Sequence, residues 1–157
     1  MASTYGDELF ADLLSRAERR TTSRFTAVLA AAGSTLDEWR VLSLLARRGG
    51  LSMSAIALAT LLPPPTLTKR VDGMVADGLV YRRVDDTDRR RVLVLLAPRG
   101  RAAHDRLARQ VHEEDARIRD LSRARLELRD LAVLLAELVD VLEHAEDPVA
   151  DGALPPR

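Results

Sequence analysis

The chain has 157 residues, of which 46% are hydrophobic and 31% are charged, enough for one domain with a buried core. Its formal net charge is zero and it has no cysteine, which excludes disulfides, thiolate metal sites and cysteine-based redox sensing. No apolar run reaches the roughly 18 residues of a membrane span and the polar start is not a signal peptide, so we expect a cytoplasmic protein without membrane contact.

The charges are unevenly distributed along the chain. Residues 63–101 carry nine Lys and Arg against five Asp and Glu, whereas residues 102–157 carry eight against thirteen. Arginine outnumbers lysine 23 to 1, which suits nucleic-acid recognition, but a GC-rich coding sequence is the simpler explanation because the bias extends into the acidic part. The basic segment is where we expect a polyanionic partner.

Two amphipathic helices are predicted in the first third of the chain. Apolar residues at spacings of 3, 4 and 7 predict a long helix over residues 7–32, which Gly33 ends. Thr35 followed by Glu38 forms a capping box at the start of a second helix. That helix ends at the Gly49-Gly50 break.

A tight helix-turn-helix is predicted next. Ser52 or Ser54 can cap a short third helix that ends near residues 61–62, and the prolines at 63–65 favour a fourth helix from Pro64 or Pro65. The fourth helix ends before Gly78. Its inner stripe comprises Leu67, Val71, Met74 and Val75, and its other face comprises Thr66, Lys69, Arg70 and Gly73.

The second half of the chain predicts a hairpin followed by two helices. Residues 79–84 and 91–96 are rich in Val, Leu and Tyr and flank the polar turn at 85–88. Pro98 lies in the first turn of a fifth helix that runs to about Leu121, and Ser122 can cap a sixth. The tail from Glu146 should be disordered. The predicted fold is mainly α (α+β): a winged helix-turn-helix with about six helices and a β-hairpin wing.

Five consecutive motifs resemble the winged helix-turn-helix of the MarR family (multiple antibiotic resistance regulator) of bacterial transcription factors. They occupy residues 35–42, 66–69, 77–83, 88–90 and 92–100, and their order and spacing are more specific than any one of them. The long flanking helices also match. We therefore expect an N-terminal dimerisation helix at 1–34, a DNA-binding domain at 35–100, C-terminal dimerisation helices at 101–145 and a tail at 146–157.

The start of the fourth helix is the first predicted DNA contact. A recognition helix places its N-terminal residues against base edges in the major groove. The candidates here are Pro65, Thr66, Thr68, Lys69 and Arg70; a solvated charged face is the alternative interpretation of the two cations. Lys69 stands where the family commonly has Arg, and Pro65 where it often has a small polar residue, so the base contacts are expected to differ.

The hairpin tip is the second predicted DNA contact. Asp88, Arg89, Arg90 and Arg91 lie there, and an arginine at such a tip can enter a narrow minor groove. The resemblance implies that Arg90 is inserted and that Asp88 braces the loop by a salt bridge. A solubilising charged turn is the alternative.

Other polar residues carry weaker hypotheses. Asp72 is either paired with Arg82 or Arg83 of the wing, or is an ordinary surface acid. Trp39 and Arg40 are candidate ligand-binding residues because the family often binds small aromatic acids near this place; for Trp39 a plain core position is the alternative. His104, His112 and His144 do not have the spacing of a metal site, and surface or satisfied histidines are expected.

The predicted function is that of a homodimeric regulator, most simply a repressor, that binds a pseudo-palindromic operator in double-stranded DNA and responds to a small aromatic or phenolic effector. The dimer would bury the apolar residues of the terminal helices. No catalytic motif, resident cofactor or metal site is predicted. A winged-helix protein-interaction module without specific DNA binding is the alternative function.

Overall fold

The computed structural model describes residues 9–123 and 128–144. Its helices are α1 (Phe10–Ala31), α2 (Leu36–Arg48), α3 (Met53–Thr60), α4 (Pro64–Ala76), α5 (Pro98–Arg123) and α6 (Leu128–His144). Its strands are β1 (Leu51–Ser52), β2 (Val80–Val84) and β3 (Val92–Leu96). The predicted fold class, a winged helix-turn-helix with six helices and a hairpin, is confirmed. The chain divides into two compact units, Met1–Asp115 and Ala116–Arg157.

The predicted helix ends depend on local capping, and most are confirmed. Thr35 Oγ1 accepts a hydrogen bond from Glu38 N at 3.2 Å, and the Glu38 carboxylate accepts from Thr35 N at 3.1 Å, which completes the capping box. Ser52 Oγ accepts from Ala55 N at the start of α3. Gly78 follows α4 with φ of 69°, a conformation that glycine adopts without strain.

The sheet is larger than the predicted hairpin. The sequence predicts only β2 and β3, which pair antiparallel with Val80 opposite Leu96 and Val84 opposite Val92. A third strand, β1, pairs with β3 on its other side, with Leu51 opposite Val94. This strand has two residues, too few for an alternating pattern, so periodicity does not reveal it.

The join after α5 corrects one prediction and leaves others outside the described residues. Ser122 does not cap the sixth helix, because the backbone remains helical through Arg123. Serine is favoured at helix starts but is also tolerated in helix interiors, so the residue type alone does not place the end. The predicted start of the first helix at Asp7, the position of Leu126 and the tail from Glu146 lie outside the described residues.

One core fills the space between the sheet and the helices of the first unit. Its largest fully buried side chains are Leu29, Leu42, Leu45, Ile56, Leu67, Met74 and Leu107, with Val41, Val71, Val80 and Val94. Three of the four residues in the predicted inner stripe of α4 are buried, and Val75 packs against the cluster. The core therefore determines which side of α4 faces outward. It also holds the hairpin strands against the helices through Val80 and Val94.

Candidate nucleic-acid interface

The turn before α4 exposes the start of that helix. Leu61 adopts the left-handed conformation with φ of 55°, and Pro63 occupies the N-cap position of α4 without a capping hydrogen bond, with Pro64 in the first helical position. A missing N–H does no harm there, because the first amides of a helix have no partner within it. Pro65, Thr66, Thr68 and Lys69 are all exposed in the two turns that follow.

Lys69 is the cation of α4 that is available to a ligand. Its side chain is exposed and makes no ion pair or hydrogen bond with any residue in the described part of the chain. Thr68 Oγ1 donates to the carbonyl oxygen of Pro64 at 2.9 Å, which leaves its hydroxyl oxygen free to accept. The positive end of the helix dipole lies in the same turns, so the local field favours an anion.

Arg70 lies differently from Lys69, although it is the next residue. Its guanidinium reaches the start of α2, where Nη1 is 3.4 Å from Glu38 Oε1 and Nη2 is 3.9 Å from Asp37 Oδ2. The sequence groups Arg70 with the outward residues of α4. In the structure its side chain is 31% exposed and lies at the edge of the buried stripe.

The wing is tied to α4 by a second ion pair. Arg82 Nη2 of β2 donates to Asp72 Oδ1 of α4 at 2.6 Å, which confirms the hypothesis that Asp72 pairs with the wing. Arg83, the other predicted partner, lies 3.6 Å from Asp86 instead. A carboxylate that is neutralised in this way is compatible with phosphates nearby.

The first half of the hairpin turn is ordered by Asp85. Its carboxylate accepts hydrogen bonds from Thr87 N at 2.9 Å and from the Thr87 hydroxyl at 2.7 Å, and its own N–H donates to the Arg91 carbonyl oxygen. The backbone N–H of Thr87, then its hydroxyl, hold the pKa of Asp85 below its usual range, and the charge of Arg91 adds to this.

The second half of the turn holds the three candidate arginines of the wing. Asp88 Oδ1 accepts a hydrogen bond from the backbone N–H of Arg90 at 3.0 Å, and the Asp88 carbonyl oxygen accepts from Arg91 N. The predicted salt bridge of Asp88 is not found: within residues 9–123 and 128–144 its carboxylate makes no ion pair, and Oδ1 instead holds the backbone N–H of Arg90. Arg89, Arg90 and Arg91 are exposed.

Trp39 and Arg40, the candidate ligand residues, line one cavity. This cavity has a volume of about 330 Å³ and lies between α2 and the end of α3, with Ser43, Arg47, Thr60 and Leu61 among its other lining residues. Arg47 Nη1 donates to Ser43 Oγ at 2.6 Å, and Arg40 lies 4.0 Å from Asp37. The volume falls within the range of small-molecule sites, and its lining joins an indole to two guanidinium groups.

The histidines behave as the sequence predicts. The ring of His104 stacks on Trp39 with centroids 5.3 Å apart, and its Nδ1 lies 2.9 Å from Asp105 Oδ1. His112 and His144 are exposed. In the described residues no group of three potential ligands could hold a metal ion. No helix in those ranges is long and apolar enough to cross a membrane.

Three contributions to these sites were missed in the sequence. Ser43, Arg47 and Thr60 line the cavity, but as ordinary helix residues they carry no signal. His104 stacks on Trp39 from 65 positions away, and only the chemistry of an aromatic pair could have suggested it. The sequence indicates only a capping role for Glu38, whereas in the structure its second oxygen also contacts Arg70.

The chain is similar to known transcriptional regulators over most of its length. The sequence profile of the MarR family matches residues 32–91. The HTH-type transcriptional regulator FarR of Neisseria gonorrhoeae is 31% identical over 131 residues, which cover 82% of this chain and 90% of FarR.

Two solved structures are similar over nearly their whole length. One is the transcriptional repressor CouR bound to a 23-mer DNA duplex, with a TM-score of 0.73, 26% identity and coverage of 90% of this chain and 99% of that one. The other is NadR in complex with 4-hydroxyphenylacetate, with a TM-score of 0.73, 25% identity and coverage of 93% and 100%.

Proposed function

The chain belongs to the MarR family of transcriptional regulators, and from this premise we propose that it acts in the cytoplasm as a homodimeric repressor. It binds a pseudo-palindromic operator in double-stranded DNA, and a small aromatic or phenolic acid releases it. CouR, a repressor bound to a DNA duplex, supports repression as the mode of regulation, and NadR, in complex with 4-hydroxyphenylacetate, supports a phenolic acid as the class of effector.

DNA binding is supported most directly by two exposed cationic features, one on α4 and one at the wing tip. At the start of α4, Lys69 is exposed beside Pro65, Thr66 and Thr68, where the helix can enter a major groove. At the wing, Asp88 holds the backbone of the turn that displays Arg89, Arg90 and Arg91. Because the Asp72–Arg82 pair ties the wing to α4, one chain can contact a major and a minor groove together.

Dimerisation is supported by apolar surface on the first and last helices. Leu9, immediately before α1, and Phe10 at its start are 71% and 62% exposed, and on α6, Leu134, Val141 and Leu142 are 60% or more exposed. Such surface is usually covered by a partner. A two-fold dimer would place its recognition helices about 34 Å apart, one turn of DNA, as a pseudo-palindrome requires.

The effector site that we propose is the cavity beside Trp39. A phenolic acid presents an aromatic ring and a carboxylate, and the cavity offers an indole together with Arg40 and Arg47. An arginine can bind a carboxylate through two parallel hydrogen bonds. Ligand binding lowers DNA affinity only if the ligand prefers the conformation that does not fit the operator.

Fluorescence anisotropy tests the proposal. The purified chain is titrated into its own upstream DNA and into a scrambled duplex of the same composition, at about 50 and 200 mM salt. We expect tight binding to the upstream duplex that weakens with salt, and weaker binding by Arg90→Ala. Arg90→Lys should recover part of the loss, since it keeps the charge but not the planar guanidinium.

Equal affinity of the wild type for both duplexes, followed by failure to enrich any sequence from a random pool, would contradict specific DNA binding and favour a protein-interaction module.

Light scattering during size-exclusion chromatography tests the proposed dimer separately. Wild type should have the mass of two chains, and Leu134→Glu on the exposed face of α6 should shift it toward one.

A further inference from the structure

The carboxylate of Glu38 is shared between a helix cap and the recognition helix. One of its oxygens, Oε2, accepts hydrogen bonds from Ser34 Oγ at 3.0 Å and Thr35 N at 3.1 Å. The other oxygen, Oε1, accepts from Arg70 Nη1 of α4 at 3.4 Å. The two oxygens therefore join the start of α2 to α4, a helix that begins 28 residues after α2 begins.

The position of Arg70 on α4 directs its side chain toward Glu38. At about 100° per residue, Arg70 lies roughly 60° from Leu67 around the axis of α4, on the flank of the buried stripe, whereas Lys69 lies on the far side. Its Nε is buried and has no hydrogen-bond partner in the described part of the chain. Burial of an N–H without a partner is costly. The polar contacts that the guanidinium does make are with the two acids at the start of α2.

The two ion pairs of α4 hold opposite flanks of the helix. Arg70 and Asp72 are two positions apart, about 200° around the axis, so they point to opposite sides. Arg70 joins Asp37 and Glu38 of α2 on one side, and Asp72 joins Arg82 of the wing on the other. Together they oppose rotation of α4 about its own axis, and such rotation would move Lys69 relative to a groove.

We propose that Arg70 is a positioning residue: acting through Glu38 and Asp37, it sets the orientation of the recognition helix and does not itself contact DNA. The inference rests on the proposed DNA-binding function. It assigns to Arg70 a different role from that of Lys69 beside it, although both are basic residues in the same turn. Arg70 then contributes to the choice between sequences, whereas Lys69 contributes to attraction by the phosphates.

The salt dependence of DNA affinity separates these roles. Each neutralised phosphate contributes about 0.9 to the slope of log affinity against log salt concentration. Lys69→Met and Arg70→Met remove one charge each from adjacent residues and form a matched pair. The probes are a duplex that the wild-type chain selects from a random-sequence pool and a scrambled duplex of equal composition, with both variants checked for the wild-type circular dichroism spectrum.

We expect Lys69→Met to reduce the salt slope by about 0.9 on both duplexes. Arg70→Met should keep the wild-type slope and lose on the order of tenfold in the ratio of selected to scrambled affinity, the scale of one lost specific contact. Arg70→Lys keeps the charge but not the planar guanidinium with its paired donors, so it should lose most of the same selectivity for the selected duplex. A slope reduced by about 0.9 in Arg70→Met, or full selectivity in Arg70→Lys, would overturn the inference.

A double-mutant cycle with Glu38→Gln tests whether Arg70 acts through Glu38. Glutamine keeps a side-chain oxygen for the amide of Thr35, so the cap remains, but it removes the charge that faces Arg70. Combined with Arg70→Met, it should lower selectivity no further than Arg70→Met alone. Additive losses would overturn the inference alone, whereas a wild-type chain that selects no duplex would overturn the proposed function and this inference with it.

Discussion

Arg82 Nη2 on β2 lies 2.6 Å from Asp72 Oδ1 on α4, so the wing and the recognition helix are joined by a charged hydrogen bond. Both side chains are partly exposed, and pairs of this kind contribute about 0–1 kcal/mol to folding. The contact therefore matters less for the stability of the fold than for the relative placement of the two elements that we propose to touch DNA.

Asp72→Asn should accordingly have small effects on folding and larger effects on DNA. The unfolding free energy from urea titration should fall by about 1 kcal/mol or less. Affinity for scrambled DNA should rise, because a negative charge is lost and Arg82 is released, while preference for the operator should fall. Asp77→Asn on the residue after α4 is a charge-matched control that should leave operator preference intact; an equal loss there would contradict the role of the pair.

The stability of the wing turn should depend on pH, because the ionised carboxylate of Asp85 accepts the hydrogen bonds of the turn. Hydrogen bonds from Thr87, with the charge of Arg91, hold the pKa of this carboxyl in the folded chain below its unfolded value. The ionised carboxylate therefore stabilises the hydrogen-bonded turn at pH values above the pKa that Asp85 has in the unfolded chain, near 3.9. This stabilisation is lost as the pH falls through the lower pKa that Asp85 has in the folded chain.

Carboxyl ¹³C chemical shifts during an acid titration would measure this pKa directly. Thr87→Ala removes the hydroxyl donor but keeps the backbone N–H, the larger cause, so it should raise the Asp85 pKa only part of the way. Titration of wild-type Asp85 at its ordinary value would contradict the hydrogen bonds assigned to the turn.

Two helical glycines should respond oppositely to alanine. A Cβ on Gly73 would meet nothing within 4 Å, so Gly73→Ala should stabilise α4 by roughly 0.5–1 kcal/mol. A Cβ on Gly100 would clash with the carbonyl oxygen of Leu79, which also accepts a hydrogen bond from Ala97 N. Gly100→Ala should destabilise the fold by about 1–3 kcal/mol. Chemical denaturation of both variants checks this, and a stable Gly100→Ala would show that α5 can shift away from β2.

Trp39 provides an optical test of the proposed effector site. It is the only tryptophan in the chain, so intrinsic fluorescence reports on the cavity that it lines. 4-Hydroxyphenylacetate should change the emission in a saturable way and should lower operator affinity. Arg47→Gln should weaken the response about tenfold or more, through loss of a charged hydrogen bond. Phenol, which lacks the carboxylate, is the matched control ligand; an equal response to phenol would remove the arginines from the proposed site.

Much of the fold could be predicted from the sequence because its signals are local. The cap at Thr35, the cap at Ser52, the proline start of α4 and the glycine after it each depend on groups within four residues. The hairpin follows from two apolar runs around a polar turn. The exposed residues of α4 and the wing tip were also placed by sequence, since period and turn position determine which side chains a small core leaves outside.

Tertiary structure alone decided the contacts that give these residues different roles. Leu51 opposite Val94, Trp39 on His104 and Arg70 beside Glu38 join positions 32 or more residues apart, and many pairings of such residues satisfy the same local pattern. Arg70 illustrates why such contacts cannot be predicted from local sequence patterns. A long side chain at the edge of an apolar stripe can turn toward solvent or along the surface of its neighbour. Which direction it takes depends on what the packed core brings beside it, and here the packing places Asp37 and Glu38 at the start of α2.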